Sequence, residues 1–435
     1  MKNIAFLYSF ILCLFFLILN IKKVCIKNKS MFLPSTVFCF MWAVSTLGVF
    51  LYCNGLAYDT NVYVGYYLTA DRLEEISVYQ LKIIIVVLLS FLFARIKYKR
   101  IAFVDINNVN KIIDIERILK RFSWILYLYF FVGCIRLFLV ISVVGLNYSD
   151  IRDLYITSRD SFSSADIWLV RIGSYLMHAT VFYVALLGIK SGLKGLDFKE
   201  IAITFLLFCP FQMSFGGRLF ILSFFIPLFL SYFLVVLLSK NGLSRVERKK
   251  VVFLGSFGFF LIVLFAILKQ GMSINVGTLL DFTSEMFYST SSYQYMNELW
   301  ENLPSQYDLG YGLNILGVES PVVTRIHESW IASNNNAIQQ TPSMIPDAFL
   351  DFGEVGSLFI FFIVFYLIES NAIKCLSKIS LKKLLTYMLL CNFCFSCPVS
   401  SMSDCIKSFV IGYLLVSLIS YYLTNRVLSK PHVIR

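Results

Sequence analysis

Long apolar stretches, each bordered by charged or polar residues, recur along the whole chain. Most cover about 20 residues, the length that an α-helix needs to cross the hydrocarbon core of a bilayer. The pattern predicts an all-α fold, a polytopic transmembrane bundle of about eleven spans. The predicted spans are residues 4–21, 32–52, 77–94, 122–145, 167–189, 201–215, 219–239, 251–269, 353–369, 384–403 and 408–424.

The basic residues predict which ends of these helices face the cytoplasm. Lysine and arginine concentrate in cytoplasmic loops of membrane proteins. Most of the 38 basic residues of this chain fall in alternate connections, at 22–30, 95–121, 190–200, 240–250, 370–383 and 425–435. The N-terminus is therefore predicted outside and the C-terminus inside. The first stretch runs into Lys22-Lys23 without a small-residue cleavage site, so we expect a retained anchor.

Composition supports a membrane protein and excludes an ordinary soluble domain. The chain has 435 residues, of which 58% are hydrophobic and only 15% charged; soluble domains carry roughly 25% charged residues. We expect one integral membrane domain over residues 1–435. The formal net charge of +12 fits cytoplasmic loops close to anionic headgroups and does not indicate nucleic-acid binding.

One connection is far longer than the others. About 80 residues, 270–350, separate two predicted spans on the outer side, whereas most connections have about 4–6 residues. Tryptophans and several tyrosines within it could bury surface, so we expect an ordered large outer loop with short helices on the membrane's outer face, interrupted by prolines.

Cysteine and motif patterns predict neither disulfides nor a metal or cofactor. None of the eleven cysteines lies between 270 and 350, and most lie in apolar spans. Cys391, Cys394 and Cys397 have a metal-like spacing, but they follow an apolar run without a second ligand pair, so packing is the expected role. The phosphate-loop, dinucleotide and hydrolase motifs are absent from the sequence.

Three short stretches resemble a known family. They are FLPSTVFCFMWAV at 32–44, SFGGRLFIL at 214–222 and IPDAFLDFGEVG at 345–356. Together with the long late outer loop, they resemble the Wzy-type oligosaccharide repeat-unit polymerases, the O-antigen polymerase family. The resemblance implies a glycosyltransferase fold of the lipid-carrier (GT-C-like) type in the bacterial inner membrane, with the active site on the periplasmic face.

The resemblance also implies an activity and its partners. Such an enzyme moves a growing glycan from undecaprenyl pyrophosphate to the terminal hydroxyl of a new undecaprenyl-pyrophosphate-linked repeat unit, without a metal or cofactor. A chain-length regulator and a flippase would be its protein partners. The chemistry needs cations for the pyrophosphate leaving group and a polar group for the acceptor hydroxyl, and arginine matches phosphate oxygens in pairs.

Arg218 and His327 are the predicted catalytic residues. Arg218 follows Gly216-Gly217, whose missing side chains would let a phosphate approach the backbone; a cation that only anchors the turn is the alternative. His327 is the one histidine of the long loop, and its unperturbed pKa near 6.5 suits proton transfer. Glu328 and Asp351 are weaker candidates for the base, and Asp351 could instead cap a helix beginning near Phe352.

Five further arginines are predicted to bind substrate. Arg152 and Arg159 share the outer connection 146–166, where nearby aspartates could simply pair with them. Arg325 lies beside His327. Arg136 and Arg171 fall within predicted spans, where a charge usually faces the bundle interior or a water-filled cavity, although snorkelling to the interface is equally compatible.

Other functions share these features. A flippase or other transporter of lipid-linked oligosaccharides would show the same topology, carrier and arginines, but transporters commonly contain internal repeats with a site near the midplane, and no repeat is visible. An O-antigen ligase would use a similar fold and donor with another acceptor. A capsule or cell-wall polymerase fits the sequence as well.

Overall fold

The computed structural model describes residues 4–26, 34–54, 70–98, 115–145, 150–151, 164–215, 219–238, 245–269, 308–316, 318, 321, 324, 344–377, 380–398 and 400–428. Within these ranges the regular elements are helices, and no strand occurs. The helices are α1 (Ile4–Ile26), α2 (Pro34–Cys53), α3 (Ala70–Lys97), α4 (Ile115–Val144), α5 (Ser164–Lys194), α6 (Phe198–Met213), α7 (Leu219–Leu238), α8 (Arg245–Lys269), α9 (Leu313–Leu316), α10 (Met344–Ser377), α11 (Leu381–Ser396) and α12 (Met402–Leu428).

Ten of the eleven predicted spans fall largely on one helix each, the span 384–403 covers α11 and the start of α12, and the short α9 belongs to the long connection. Among the described residues, six helices are long and apolar enough to cross a membrane: α2, α3, α4, α5, α10 and α12. Helices α1 and α7 contain shorter apolar segments. The described chain is thus consistent with a helical membrane protein, and the count of eleven spans stays a prediction.

Two boundaries differ from the sequence prediction. The predicted span 384–403 is divided, since α11 ends at Ser396 and α12 begins at Met402. Pro398 follows α11, and a proline disfavours helical geometry in the residue before it. The Ser401 hydroxyl accepts the backbone N–H of Asp404 at 3.0 Å and caps α12. Helix α10 begins at Met344, nine residues before the predicted start, and contains a break at Gly353.

The helices group into two compact units. Unit 1 comprises Met1–Phe103, Thr283–Ser377 and Leu389–Val410; unit 2 comprises Val104–Phe282, Lys378–Met388 and Ile411–Arg435. The sequence-based expectation of a single membrane domain over 1–435 stays a prediction.

Unit 1 is built around α1, α2, α3 and α10, with α3 packed along α10. Its core contains interlocking aromatic rings. Phe38 of α2 approaches Phe365 of α10 with ring centroids 4.9 Å apart and Phe91 of α3 at 5.6 Å, both edge to face. This geometry suits the ring quadrupoles and adds to the burial of apolar area. Three helices thereby share one core.

Unit 2 is built around α4, α5, α6 and α7, and α5 has its most extensive contact with α7. Gly188 and Gly192 of α5 lie four residues apart and face α7. A Cβ on Gly188 would lie 2.8 Å from the Ser231 Cβ, and one on Gly192 would lie 2.6 Å from the Val235 Cβ. Small residues at this spacing let helix backbones approach closely within membranes. The pair therefore sets the α5–α7 distance.

Candidate functional site

A buried arginine joins the ends of three helices in unit 2. Arg136, near the end of α4, has no solvent-exposed area. Its Nε donates to the Asp166 Oδ1 at 3.2 Å, and a terminal nitrogen donates to the Ser214 hydroxyl. Its guanidinium carbon lies 3.9 Å from the centroid of the Phe215 ring. A buried cation is tolerable with such an acceptor and a π-face, so Arg136 is a paired side chain of the bundle interior.

The partners of Arg136 come from positions where two predicted outer connections begin or end. Asp166 lies in the first turn of α5, directly after the connection that carries Arg152 and Arg159. Ser214 follows the last residue of α6, four positions before Arg218. The Arg136–Asp166–Ser214 cluster therefore holds together the helix ends from which both connections leave. We call it the arginine cluster.

Glycines bring the three helices close enough for this cluster to form. Phe211, in the last turn of α6, is buried against α4 and α5. A Cβ on Gly133 would lie 2.9 Å from the Phe211 Cα, and a Cβ on Gly173 would overlap the Phe211 ring. Both positions lack room for any side chain, so the Phe211 ring can pack under the arginine cluster.

The other predicted site residues are placed differently or are not described. Arg171 is exposed on α5, and its guanidinium carbon lies 5.5 Å from the centroid of the Trp168 ring, apart from the arginine cluster. Arg152, Arg159, Arg218, Arg325 and His327 lie outside the described residues. Their catalytic and binding roles stay predictions, and the structure brings together only the helix ends that flank three of them.

In unit 1, part of the long connection docks on the break in α10. Gly353 has φ of 67° and ψ of −173°, a conformation that favours glycine. Near this break, the carbonyls of Leu350 and Asp351 accept the backbone N–H groups of Gly310 and Tyr311, at 3.0 and 3.1 Å. A continuous helix would use these carbonyls internally, so the break provides the docking site for residues 308–316.

Asp351 fastens this docked segment. Its carboxylate accepts the backbone N–H of Asn314 at 3.1 Å, the Asn314 side-chain amide at 2.9 Å and the backbone N–H of Ile315 at 2.9 Å. The side chain is fully buried. It therefore caps α9, rather than a helix beginning near Phe352, and a carboxylate so enclosed is an anchor and not a base for a sugar hydroxyl.

Replacing Asp351 with alanine is expected to release residues 308–316 from α10. The substitution leaves the donors of Asn314 and Ile315 without their acceptor, and a hydrogen bond to a charged group contributes about 1.5–3 kcal/mol. Amide exchange of peptides covering these residues should accelerate at least tenfold, as followed by mass spectrometry. Asp308→Ala, which removes an exposed carboxylate from the same segment, is the control. Equal exchange in both variants would contradict the anchoring role.

Sequence reasoning missed a second buried charge, in unit 1. Glu369 of α10 has no exposed area, and its Oε1 accepts the Arg95 Nε at 2.9 Å and the Ser35 hydroxyl at 2.9 Å. Arg95 also donates to the Asn20 side chain at 2.7 Å. The sequence prediction placed Arg95 in a cytoplasmic loop. The pair could have been found from Glu369, because a carboxylate at the end of an apolar span requires a buried partner.

Within the described part of the chain, neither cavities nor clusters of metal-ligating side chains indicate a second candidate site. A shallow depression in unit 2 is lined by Tyr127, Tyr183, Lys199, Glu200 and Thr204, at the helix ends opposite the arginine cluster. Within the described ranges, no group of three or more His, Cys, Asp or Glu side chains is arranged to hold a metal ion.

Comparison of the chain with models of protein families, with characterised proteins and with solved structures finds no match.

Proposed function

We propose that this chain is an oligosaccharide repeat-unit polymerase, a glycosyltransferase that uses undecaprenyl-pyrophosphate-linked substrates at the outer face of the bacterial inner membrane. The observation that carries the proposal is the arginine cluster. It fastens the helix ends that flank the connections bearing Arg152, Arg159 and Arg218. Three permanent cations then belong to neighbouring connections, as a doubly charged leaving group requires.

Chain length limits how far Arg218 can lie from this cluster. Four residues separate it from Ser214, and four residues span at most about 14 Å. Arg136 is buried and hydrogen-bonded to Asp166 and Ser214. Its role in this proposal is therefore to position the helix ends. The guanidinium groups that meet the pyrophosphate are those of the two connections.

The proposed step is one displacement at the anomeric carbon of the growing glycan. The terminal hydroxyl oxygen of the incoming repeat unit attacks that carbon, and the bond from the carbon to the pyrophosphate oxygen breaks. Undecaprenyl pyrophosphate leaves with the electron pair, and its charge is neutralised by Arg218 and the neighbouring arginines. His327 accepts the hydroxyl proton, because a neutral imidazole nitrogen can act as a general base.

The test is polymerisation by the purified protein in lipid. A synthetic undecaprenyl-pyrophosphate repeat unit is the only substrate, and product length is followed by gel. Wild type should give a ladder of polymer. Arg218→Ala should form at least a hundredfold less polymer than wild type. Arg218→Lys should retain a small fraction, since a point charge replaces the planar fork. Lys199→Ala, an exposed cation at the opposite helix ends, is the matched control and should leave the ladder unchanged.

Two extensions of this assay separate the rival functions: labelled substrate is followed across the bilayer, and an outer-core acceptor is added. A wild-type protein that is monodisperse but moves labelled substrate across the bilayer without lengthening it is a transporter. Transfer to an outer-core acceptor with no polymer identifies a ligase. A ladder that persists in Arg218→Ala would retain the polymerase and remove Arg218 from its mechanism.

A further inference from the structure

Two lysines and two tyrosines form a surface cluster where α3 meets α10 in unit 1. The Lys97 Nζ lies 5.8 Å from the Tyr98 ring centroid and 5.7 Å from the Tyr366 ring centroid. The Lys374 Nζ lies 5.5 Å from the same Tyr98 ring. Both lysines are exposed. We call these four residues the lysine–tyrosine patch.

Within the described part of the chain, no carboxylate forms an ion pair with the patch. Glu369, on the same end of α10, is buried and already accepts hydrogen bonds from Arg95 and Ser35. Among the ion pairs of the described residues, none includes Lys97 or Lys374. Two accessible ammonium groups therefore lie within 5.8 Å of the centroid of the Tyr98 ring.

An exposed apolar strip continues from the patch along both helices. On α3, Phe93 and Ile96 are 56% and 70% exposed; on α10, Ile363 and Leu367 are 51% and 50% exposed. Phe93 contacts Phe362 edge to face, so the two helices adjoin beside this strip. Residues 363, 367 and 374 fall on one side of α10 by helical spacing. Apolar side chains thus lie directly beside two cations.

The geometry points to a binding site for an anionic phospholipid, with the phosphate headgroup on the lysine–tyrosine patch and an acyl chain along the apolar strip. Ammonium groups attract the headgroup charge, and tyrosine hydroxyls hydrogen-bond at headgroup depth while their rings contact acyl chains. A free phosphate ion would contact the lysines, but it has no acyl chain to bury on the apolar strip. The site stands independently of the proposed function, which rests on the arginine cluster of unit 2.

The experiment compares lipid retention by the full-length protein in detergent micelles. Native mass spectrometry measures bound phosphatidylglycerol and phosphatidylcholine across a titration of each lipid. Lys97→Gln with Lys374→Gln should weaken phosphatidylglycerol binding about twentyfold, because each lysine near an anionic surface contributes about fivefold. Phosphatidylcholine binding should change less than about twofold, since it does not depend on this charge.

Two further variants distinguish a specific lipid-binding site from non-specific attraction of lipid by the protein's positive charge. Lys199→Gln with Lys249→Gln removes two exposed lysines from unit 2, and its phosphatidylglycerol binding should equal that of wild type. Lys97→Arg with Lys374→Arg keeps both charges and should retain binding; if the glutamine variant does not fold, Lys374→Gln alone replaces it. Equal losses in both glutamine variants, or equal wild-type affinity for the two lipids, would overturn the site. Displacement of the lipid by millimolar inorganic phosphate would overturn the lipid and leave a phosphate-ion site.

Discussion

Replacing Glu369 with leucine is expected to cost about 3–5 kcal/mol of stability, the typical effect of removing one partner from a buried ion pair. The carboxylate is fully buried, and Arg95 on α3 is only 18% exposed. Leucine fills a similar volume but accepts no hydrogen bond. The guanidinium is then held inside the unit without its counter-charge.

The size of this effect follows from how many helices the carboxylate connects. Oε1 of Glu369 meets Arg95 and the Ser35 hydroxyl, and Oε2 accepts the Ser35 backbone N–H at 3.3 Å. Arg95 in turn donates to Ser35 at 2.5 Å and to Asn20. The network therefore joins α1, α2, α3 and α10, and losing its one carboxylate removes the acceptor on which these bonds depend.

A double variant and a control variant in a second, exposed ion pair test this explanation. Glu369→Leu with Arg95→Met removes both charges and should recover most of the loss, since apolar residues often replace a buried pair without cost. Glu354→Gln breaks the Lys82–Glu354 pair, which also joins α3 to α10 but is about half exposed, and should cost less than about 1 kcal/mol. Thermal unfolding in detergent, followed by size-exclusion chromatography, measures each variant. A double variant as unstable as the single one would refute the account.

The helices were predictable because a bilayer demands long apolar runs whatever they pack against. The end of α11 was missed because hydropathy continues through Cys397-Pro398, and only the backbone requirements of Pro398 stop the helix. The early start of α10 was missed for the opposite reason. Residues 344–352 include Pro346, Asp347 and Asp351, which read as loop, yet they form a helix closed by Gly353.

The polar partners could not be read from sequence because they are distant along the chain. Ser35 and Glu369 are separated by 334 residues, and Arg136 and Ser214 by 78. Sequence patterns identify a costly charge within a span and predict that it has a partner, but packing decides which partner. The predicted outer arginines of the two connections stay predictions, whereas Arg136 is located, buried and paired.

Gly188 is a position where a single methyl group should disturb the packing of two helices. A Cβ there would overlap the Leu228 carbonyl oxygen and lie 2.8 Å from the Ser231 Cβ of α7. A backbone carbonyl inside a helix cannot turn aside as a flexible side chain can. Gly188→Ala is therefore expected to cost about 1–3 kcal/mol through overpacking, and Gly188→Leu should prevent the two helices from docking.

Gly255 of α8 provides the matched control, because a Cβ there would have no neighbouring atom within 4 Å. Gly255→Ala should be neutral or stabilising by up to about 1 kcal/mol, the propensity difference between the residues. Thermal unfolding in detergent ranks the variants. Equal stability of Gly188→Ala and Gly255→Ala would mean that the α5–α7 contact is loose. A larger loss of stability in Gly188→Ala would indicate that the α5–α7 contact also supports the arginine cluster, because α5 carries Asp166 at its other end. In that case Gly188→Ala should also lower polymerisation more than Gly255→Ala does.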